Sequence, residues 1–310
     1  MSIPQHLIDH FDVQAWLDEI GIPWGQGKNT SQGWISIPCP FCPDPDPSYH
    51  LGISPQKRVT CWRCGHRGSV VDLVFHLDPG KDVAQTLKNF RLFSINELKK
   101  DILIRSGENC QLPKHATKVF PQAHLNYLLG RRFDPDFLIK KYDLYATGPI
   151  FSKEEKEWRY RIVIPIYFRS QIVNFTGLDI TKTQKQKYKH NKNELSLVPM
   201  KEILYNLDSV VDKMLVVEGT SDVWRMGPGT VATMGIEFTH AQINLIREAR
   251  PKKVVIMYDS EPFAIEAAKD FRSALQRLKI NSFVLPLSKG DPADLSEEEV
   301  REIRRIVFHE

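Results

Sequence analysis

Four of the five cysteines fall in two C-x2-C pairs, Cys39 with Cys42 and Cys61 with Cys64, and 18 residues separate the pairs. This spacing predicts a tetrahedral thiolate site for one structural zinc ion. Sulfur holds that borderline-soft cation without redox chemistry, and four protein ligands leave no open position for water. His50 and His66 lie close enough in sequence to replace a cysteine, but the four-sulfur set is preferred because its spacing is symmetric. Cys110 stands apart and reads as a small apolar residue. A different chemistry is available near the C-terminus. Glu218 follows the apolar run 214–217, Asp259 follows 254–258, and Asp291 lies shortly after 283–287. Carboxylates gathered from three strand ends repel one another unless hard cations neutralise them, which is the logic of a site that handles phosphates with Mg²⁺ or Mn²⁺. A single acid after a strand could be a helix cap; three in succession point to a shared site.

These acids need a scaffold that brings positions 41 and 32 residues apart together. Thr239 can cap a helix that stops before Pro251, and 263–279 carries Ala264, Ala267, Ala268, Phe271, Ala274, Leu275 and Leu278 at helical period. Strands alternating with helices predict a parallel sheet covered on both faces, with ligands at the carboxyl ends of its strands. Upstream, 161–168 and 172–180 read as two strands joined at Arg169-Ser170. Lys182, Lys185, Lys187, Lys189 and Lys192 then flank Tyr188 and His190. In an extended chain Lys185, Lys187 and Lys189 would project from one face, a row suited to a phosphate backbone or to nucleotide phosphates; the ordinary alternative is a solvated loop. Around the cysteines, Trp34, Phe41, Tyr49 and Trp62 are interleaved with Lys57, Arg58, Arg63 and Arg67. That mixture suits stacking of single-stranded bases, although about half of these rings are expected to cap a ribbon too small for a normal core.

Composition bounds the remaining possibilities. A chain of 310 residues has room for roughly two or three domains. No apolar run approaches the roughly 18 residues of a membrane span, and the start MSIPQHLIDHF has neither a basic nor an apolar leader segment, so a membrane or secreted protein is not expected. The net charge of +4 conceals a distribution: −1 over 1–112, +7 over 113–208 and −2 over 209–310. A basic middle between weakly acidic ends points to nucleic acid.

Glu218-Gly219-Thr220-Ser221-Asp222 resembles the EGxxD motif of the TOPRIM domain, and Asp259-Ser260-Glu261 resembles its D-x-D motif. Cys39-Pro40-Phe41-Cys42 and Cys61-Trp62-Arg63-Cys64-Gly65 look like the zinc ribbon of bacterial and phage DNA primases. Between them Tyr127-Leu128-Leu129-Gly130-Arg131, Arg161-Ile162-Val163-Ile164-Pro165-Ile166, Asn174-Phe175-Thr176-Gly177, Lys187-Tyr188 and Leu204-Tyr205 follow the order of the primase catalytic core. Departures occur at Glu261, which stands where the family has a second Asp, and at Asp291-Pro292-Ala293-Asp294, a DPDE-like turn with its second acid displaced. Glu218, Asp259 and Asp291 therefore rank above Glu261, Asp294 and Asp222.

The resemblance implies a multidomain α+β and α/β protein: a zinc-ribbon domain (1–80), a connecting segment (81–112), a basic mixed α/β subdomain (113–208) and a TOPRIM subdomain with a Rossmann-like parallel sheet (209–310). It implies a DNA primase that joins NTPs on single-stranded DNA, with Glu218, Asp259, Glu261 and Asp291 catalytic, and Asp294 with them as Mg²⁺ or Mn²⁺ ligands for two or more ions. Glu218 is either a ligand or a proton acceptor. Arg131, Arg161, Lys185, Lys187, Lys189, Trp62 and Arg63 would contact template or nucleotide. The family resemblance also implies a bacterial cytoplasmic setting and a separately encoded replicative helicase as partner, and a chain without a helicase segment after the TOPRIM is expected of a compact phage or mobile-element type. Two other classes use the same features: a TOPRIM nuclease or topoisomerase, and a non-catalytic single-stranded-DNA-binding protein. A topoisomerase would also need a catalytic Tyr on a further domain that this length hardly accommodates.

Overall fold

The computed structural model describes residues 3–25, 33–90, 104–105, 107, 110–150 and 155–308. It divides into two compact units, Met1–Lys99 and Lys100–Glu310. In the first, helices α1 (Gln5–Asp9) and α2 (Val13–Glu19) precede an antiparallel sheet of β1 (Ile35–Ile37), β2 (Leu51–Ile53), β3 (Arg58–Cys61) and β4 (Arg67–Ser69), paired in chain order. Helices α3 (Val70–Leu77) and α4 (Val83–Asn89) follow. Four strands of three or four residues cannot enclose a core by themselves, and the helices supply it: Phe11, Trp16, Leu17, Leu73 and Leu87 are buried with Ile37, Leu51 and Ile53. The unit consequently runs past the expected boundary at 80. Asp82 caps α4 by accepting from the Gln85 N–H, and the Asp12 N–H donates to the Phe90 carbonyl at 2.5 Å. Much of the expected connecting segment, 91–103, lies outside the described residues.

The second unit holds two sheets. The first is antiparallel in the order β5 (Tyr145–Ala146), β6 (Arg161–Phe168), β7 (Gln171–Asp179) and β8 (Tyr188–His190), preceded by helices α5 (Gln122–Gly130) and α6 (Pro135–Lys141). The β6–β7 hairpin closes on Arg169-Ser170, whose φ values of 53° and 64° give the mirror-image two-residue turn that matches strand twist. The second sheet contains β9 (Lys213–Val217), β10 (Thr230–Ala232), β11 (Lys253–Ile256) and β12 (Ser282–Val284), all parallel, in the order β10-β9-β11-β12. Helices α7 (Thr220–Met226), α8 (His240–Ala249) and α9 (Pro262–Arg277) connect these strands, and α10 (Glu297–Phe308) follows the last. Thr239 caps α8 as expected, in a reciprocal bond pair with Gln242. From β9 the chain moves to β10 on one side, then returns across β9 to β11 on the other. Strand order therefore reverses between β9 and β11, the place where open α/β sheets form a ligand crevice.

Candidate active site and metal centre

The four Cys39, Cys42, Cys61 and Cys64 sulfurs lie within 4.8 Å of one another. Cys39 to Cys64 and Cys42 to Cys61 are each 3.8 Å Sγ to Sγ, about the edge of a tetrahedron built on ~2.3 Å metal–sulfur bonds. The second knuckle turns its Arg63 and Cys64 N–H groups onto the Cys61 sulfur at 3.3 and 3.4 Å. Burial pushes the Cys61 thiol up, but these donors outweigh it and hold it at about 7, whereas burial dominates at Cys39 and raises it far above its ordinary value. Four sulfurs at this spacing, two of them buried, fit a cation that would stabilise all four thiolates. The nearby imidazoles have other partners. His50 Nδ1 bonds buried Asp46 at 2.5 Å, and His66 stacks on Phe41 at 3.7 Å between ring centroids. Asp46 also accepts from the Cys39 and His50 N–H groups; burial would raise this carboxylate, and the bonds from His50 and the backbone instead lower it to about 2.

Trp62 is half exposed and meets Trp34 at 5.9 Å between ring centroids. Both rings lie over Gly52, where a Cβ would come within 2.3 Å of the Trp62 ring. Arg63 is exposed and donates to the Pro45 carbonyl at 2.9 Å. Of the expected aromatic strip, Phe41 therefore packs within the ribbon while Trp62 faces solvent.

In the second unit Glu218 follows β9 directly, and Asp259 lies three residues beyond β11. The Asp259 N–H donates to Glu218 Oε1 at 3.0 Å, which joins the two strand ends across the switch point. The Ser260 N–H donates to the Gly290 carbonyl at 3.0 Å and brings the Asp291 turn to the same place. Asp291 caps that short turn by accepting from the Asp294 N–H at 3.1 Å. Helix α7 grips the turn on both sides of one residue. Asp222 accepts from the Ala293 N–H at 3.2 Å, and Arg225, one helical step on, donates to the Ala293 carbonyl at 3.0 Å. Buried Asp222 also accepts from the Gly219 N–H at 2.8 Å, so it shapes the site and holds its parts.

The electrostatics of the acids are those of a cation site. Burial, then the charges of Glu218, Asp291 and Glu261, push the Asp259 carboxyl up to about 7, and only Lys187 opposes them among the larger influences. Burial also raises Glu218, helped by Glu261 and Asp291 and resisted by the Asp259 N–H and Lys201. Asp259 Oδ1 is buried with no hydrogen-bond partner. A buried carboxylate oxygen left unmatched is costly, and a hard divalent cation satisfies it. Among the described residues only the cysteines bring three or more ligand atoms within 4.8 Å of one another. Mg²⁺-like ions keep several waters and complete their shells with phosphate oxygens, so they do not require such a cluster. Glu261 and Asp294 are exposed at the rim.

The predicted basic residues separate into different surroundings. Arg131 Nη2 lies 3.3 Å from Asp294 Oδ1. Lys187 is exposed, and its charge acts on Asp259. Lys189 instead pairs with Glu157 and lies 5.4 Å from the Trp158 ring centroid, while Lys185 is exposed in a bend before β8. The expected three-lysine row is thus interrupted, because the paired strand begins only at Tyr188. Arg161 is 2% exposed, and its guanidinium donates to the Glu157, Gly177, Gln186 and Lys187 carbonyls at 2.7 to 3.2 Å. It holds the segment that carries Lys187, and its guanidinium is occupied by these carbonyls. Sequence reasoning gave no role to Arg225 or to Lys201, whose ammonium donates to the Met234 and Glu237 carbonyls at 3.0 Å each. Single cations without a pattern give no signal until the fold supplies their partners.

The family description "Toprim-like" matches residues 215–296. The DNA primase of Listeria monocytogenes is 24% identical over 355 aligned positions, covering 94% of this chain and 56% of its own length. That of Aquifex aeolicus is 23% identical over 318, covering 87% and 62%. The chain thus spans about three fifths of the length of the curated relatives it matches. Among solved structures, the zinc-binding and RNA polymerase domains of Aquifex aeolicus primase share its fold with a TM-score of 0.54 at 20% identity, over 100% of this chain and 86% of that one. The RNA polymerase domain of Mycobacterium tuberculosis primase gives a TM-score of 0.50 at 20% identity, over 60% and 75%. The chain is similar to bacterial DNA primases over nearly its whole length and carries a Toprim-like domain at residues 215–296.

Proposed function

We propose that this chain makes short RNA primers on single-stranded DNA, by attack of a primer 3′-hydroxyl on the α-phosphate of an incoming NTP with departure of pyrophosphate. The observation that carries this reading is Asp259 at the switch point of a Toprim-like sheet, its buried oxygen unmatched and its carboxyl raised beside Glu218 and Asp291. Asp259 and Asp291, with Glu261 and Asp294 at the rim, would hold two or more Mg²⁺ or Mn²⁺ ions. Such ions, when bound, lower the pKa of the attacking hydroxyl and neutralise charge on the leaving oxygen. Glu218 fixes the Asp259 backbone and would be a further metal ligand or a proton acceptor. Lys187 would face the phosphates from the opposite sheet, positioned through its carbonyl by Arg161. In the first unit the four cysteines would hold zinc, and exposed Trp62 with Arg63 would stack and neutralise the template strand.

The test is single-stranded DNA with labelled NTPs and Mg²⁺. Short oligomers that require all of these, reduced about a hundredfold or more in Asp259→Asn, are the expected result. Nicked DNA formed without NTPs would indicate a nuclease instead. Template binding with neither product would indicate a non-catalytic binding protein.

A further inference from the structure

The turn that carries Asp291 and Asp294 is held mainly through its backbone. Ala293 is gripped by Asp222 and Arg225, and Arg132 Nη2 donates to the Asp294 carbonyl at 2.6 Å. Arg225 extends the same brace, donating to the Arg131 and Arg132 carbonyls at 2.8 and 3.2 Å. The backbone of residues 131–132 and that of 293–294 are therefore fixed relative to each other whatever the Asp294 side chain does. Upon this brace lies one exchangeable contact: the Asp294 carboxylate, 64% exposed, against the Arg131 guanidinium at 3.3 Å. Tyr127, Asp291 and the like-charged Arg225 are further titratable groups that interact with Arg131, alongside Asp294.

We infer that Arg131 is the counter-ion of Asp294 until a divalent cation takes that carboxylate, and that the released guanidinium then binds the phosphates of the incoming nucleotide. This rests on the active-site reading above and adds a regulation to it: cation binding prepares the anion site. The physical basis is a difference in strength. A partly exposed ion pair contributes little, whereas a divalent cation among several carboxylates neutralises a cluster that is otherwise self-repelling. The exchange breaks one ion pair and forms metal–carboxylate and arginine–phosphate contacts in its place, with no change in covalent bonding. By linkage the effect is reciprocal, so Arg131 must weaken cation binding as much as the cation frees Arg131.

The experiment uses the full chain and two probes, Mn²⁺ followed by electron paramagnetic resonance and inorganic triphosphate followed by calorimetry without added divalent cation. Arg131→Gln should tighten Mn²⁺ roughly two- to fivefold in the wild-type background and leave it unchanged in Asp294→Asn. An equal gain in both backgrounds would reduce the effect to general charge removal and overturn the exchange, as would no gain in either. Conversely, Asp294→Asn should bind triphosphate more tightly than wild type, and the gain should vanish when Arg131→Gln is added. Arg131→Lys, which keeps the charge, should restore competition for Mn²⁺ and serves if Arg131→Gln folds poorly, as judged by metal content and thermal melting. If wild type shows no Mn²⁺ binding sensitive to Asp259→Asn, the active-site reading falls and this inference with it. If such binding is present but indifferent to Arg131, only the inference fails.

Discussion

Asp259 is the residue at which sequence, fold and chemistry meet most directly. It was legible because it is one of three acids that each follow an apolar run, and the parallel sheet places it beside Glu218. Its raised carboxyl makes a stability prediction whose sign follows from linkage. In the folded, metal-free protein Asp259 titrates near 7 and in the unfolded chain near its ordinary 3.8, so the folded state holds the proton more tightly. Its contribution is therefore favourable at low pH, declines as pH rises from about 4 to about 7, and is absent above that. Glu218, also raised mainly by burial, acts in the same direction. Thermal melting of the metal-free acid site should show wild type losing Tm relative to Asp259→Asn between pH 5 and pH 7.5, and Mg²⁺ should restore more Tm at 7.5 than at 5. The comparison with Asp259→Asn cancels the titration of buried histidines such as His124, whose lowered pKa works the other way. A wild type that gains on the variant as pH rises would contradict the assignment of a raised carboxyl.

At the scale of elements, regularity and length decided what could be read. The β6–β7 hairpin was legible to within a residue at each end because both strands are long and rich in Ile, Val and Phe, and because Arg169-Ser170 leaves only a two-residue turn between them. Strand β10 and helix α7, of three and seven residues, are too short to develop a period, so the sheet's fourth strand was not anticipated. Helix α4, of seven residues, follows Pro79-Gly80 and is also too short to develop a period. The lysine row is only partly a strand: Lys185, Lys187 and Lys189 alternate as in a strand, but pairing with β7 runs only from Lys187, whose carbonyl accepts from the Asp179 N–H, to His190, and Arg161 determines where the segment before it lies. Arg161→Met should leave several carbonyls without donors and destabilise the second unit by on the order of 3 kcal/mol, with faster amide exchange concentrated around 177–187. Urea unfolding and hydrogen exchange check this. Arg161→Lys should rescue little, since an ammonium cannot reproduce the planar fork that reaches four carbonyls. Weakened DNA binding at unchanged stability would instead return Arg161 to the ligand-contacting set.

The molecule as a whole consists of two units that differ in what stabilises them. The basic segment, +7 over 113–208, and the acidic Toprim-like segment, −2 over 209–310, belong to one compact unit, so the low net charge of +4 conceals segments of opposite sign. That unit rests on two four-stranded sheets and their helices. The first unit has sheet strands of only three or four residues, and two of its proposed zinc ligands, Cys39 and Cys61, are themselves buried in its core. Removal of the proposed ion there would do more than open a binding site: it would leave four clustered thiols in place of metal-bound thiolates. A structural zinc site of this type contributes roughly 10 kcal/mol to folding, comparable with the entire stability of an ordinary domain. Cys61→Ser, or prolonged chelation of the wild type, should therefore remove about one zinc per chain and abolish amide protection in β1–β4. Helices α1 to α4 should follow, because Leu73, Leu87, Phe11 and Trp16 share their core with Ile37, Leu51 and Ile53. The 100–310 unit contains none of the four cysteines and should keep its own unfolding transition and its Asp259-dependent Mn²⁺ binding. Metal analysis together with hydrogen exchange resolves the two units in a single sample. Persistent protection of the ribbon strands in a zinc-free chain would show that the helices alone suffice to fold it.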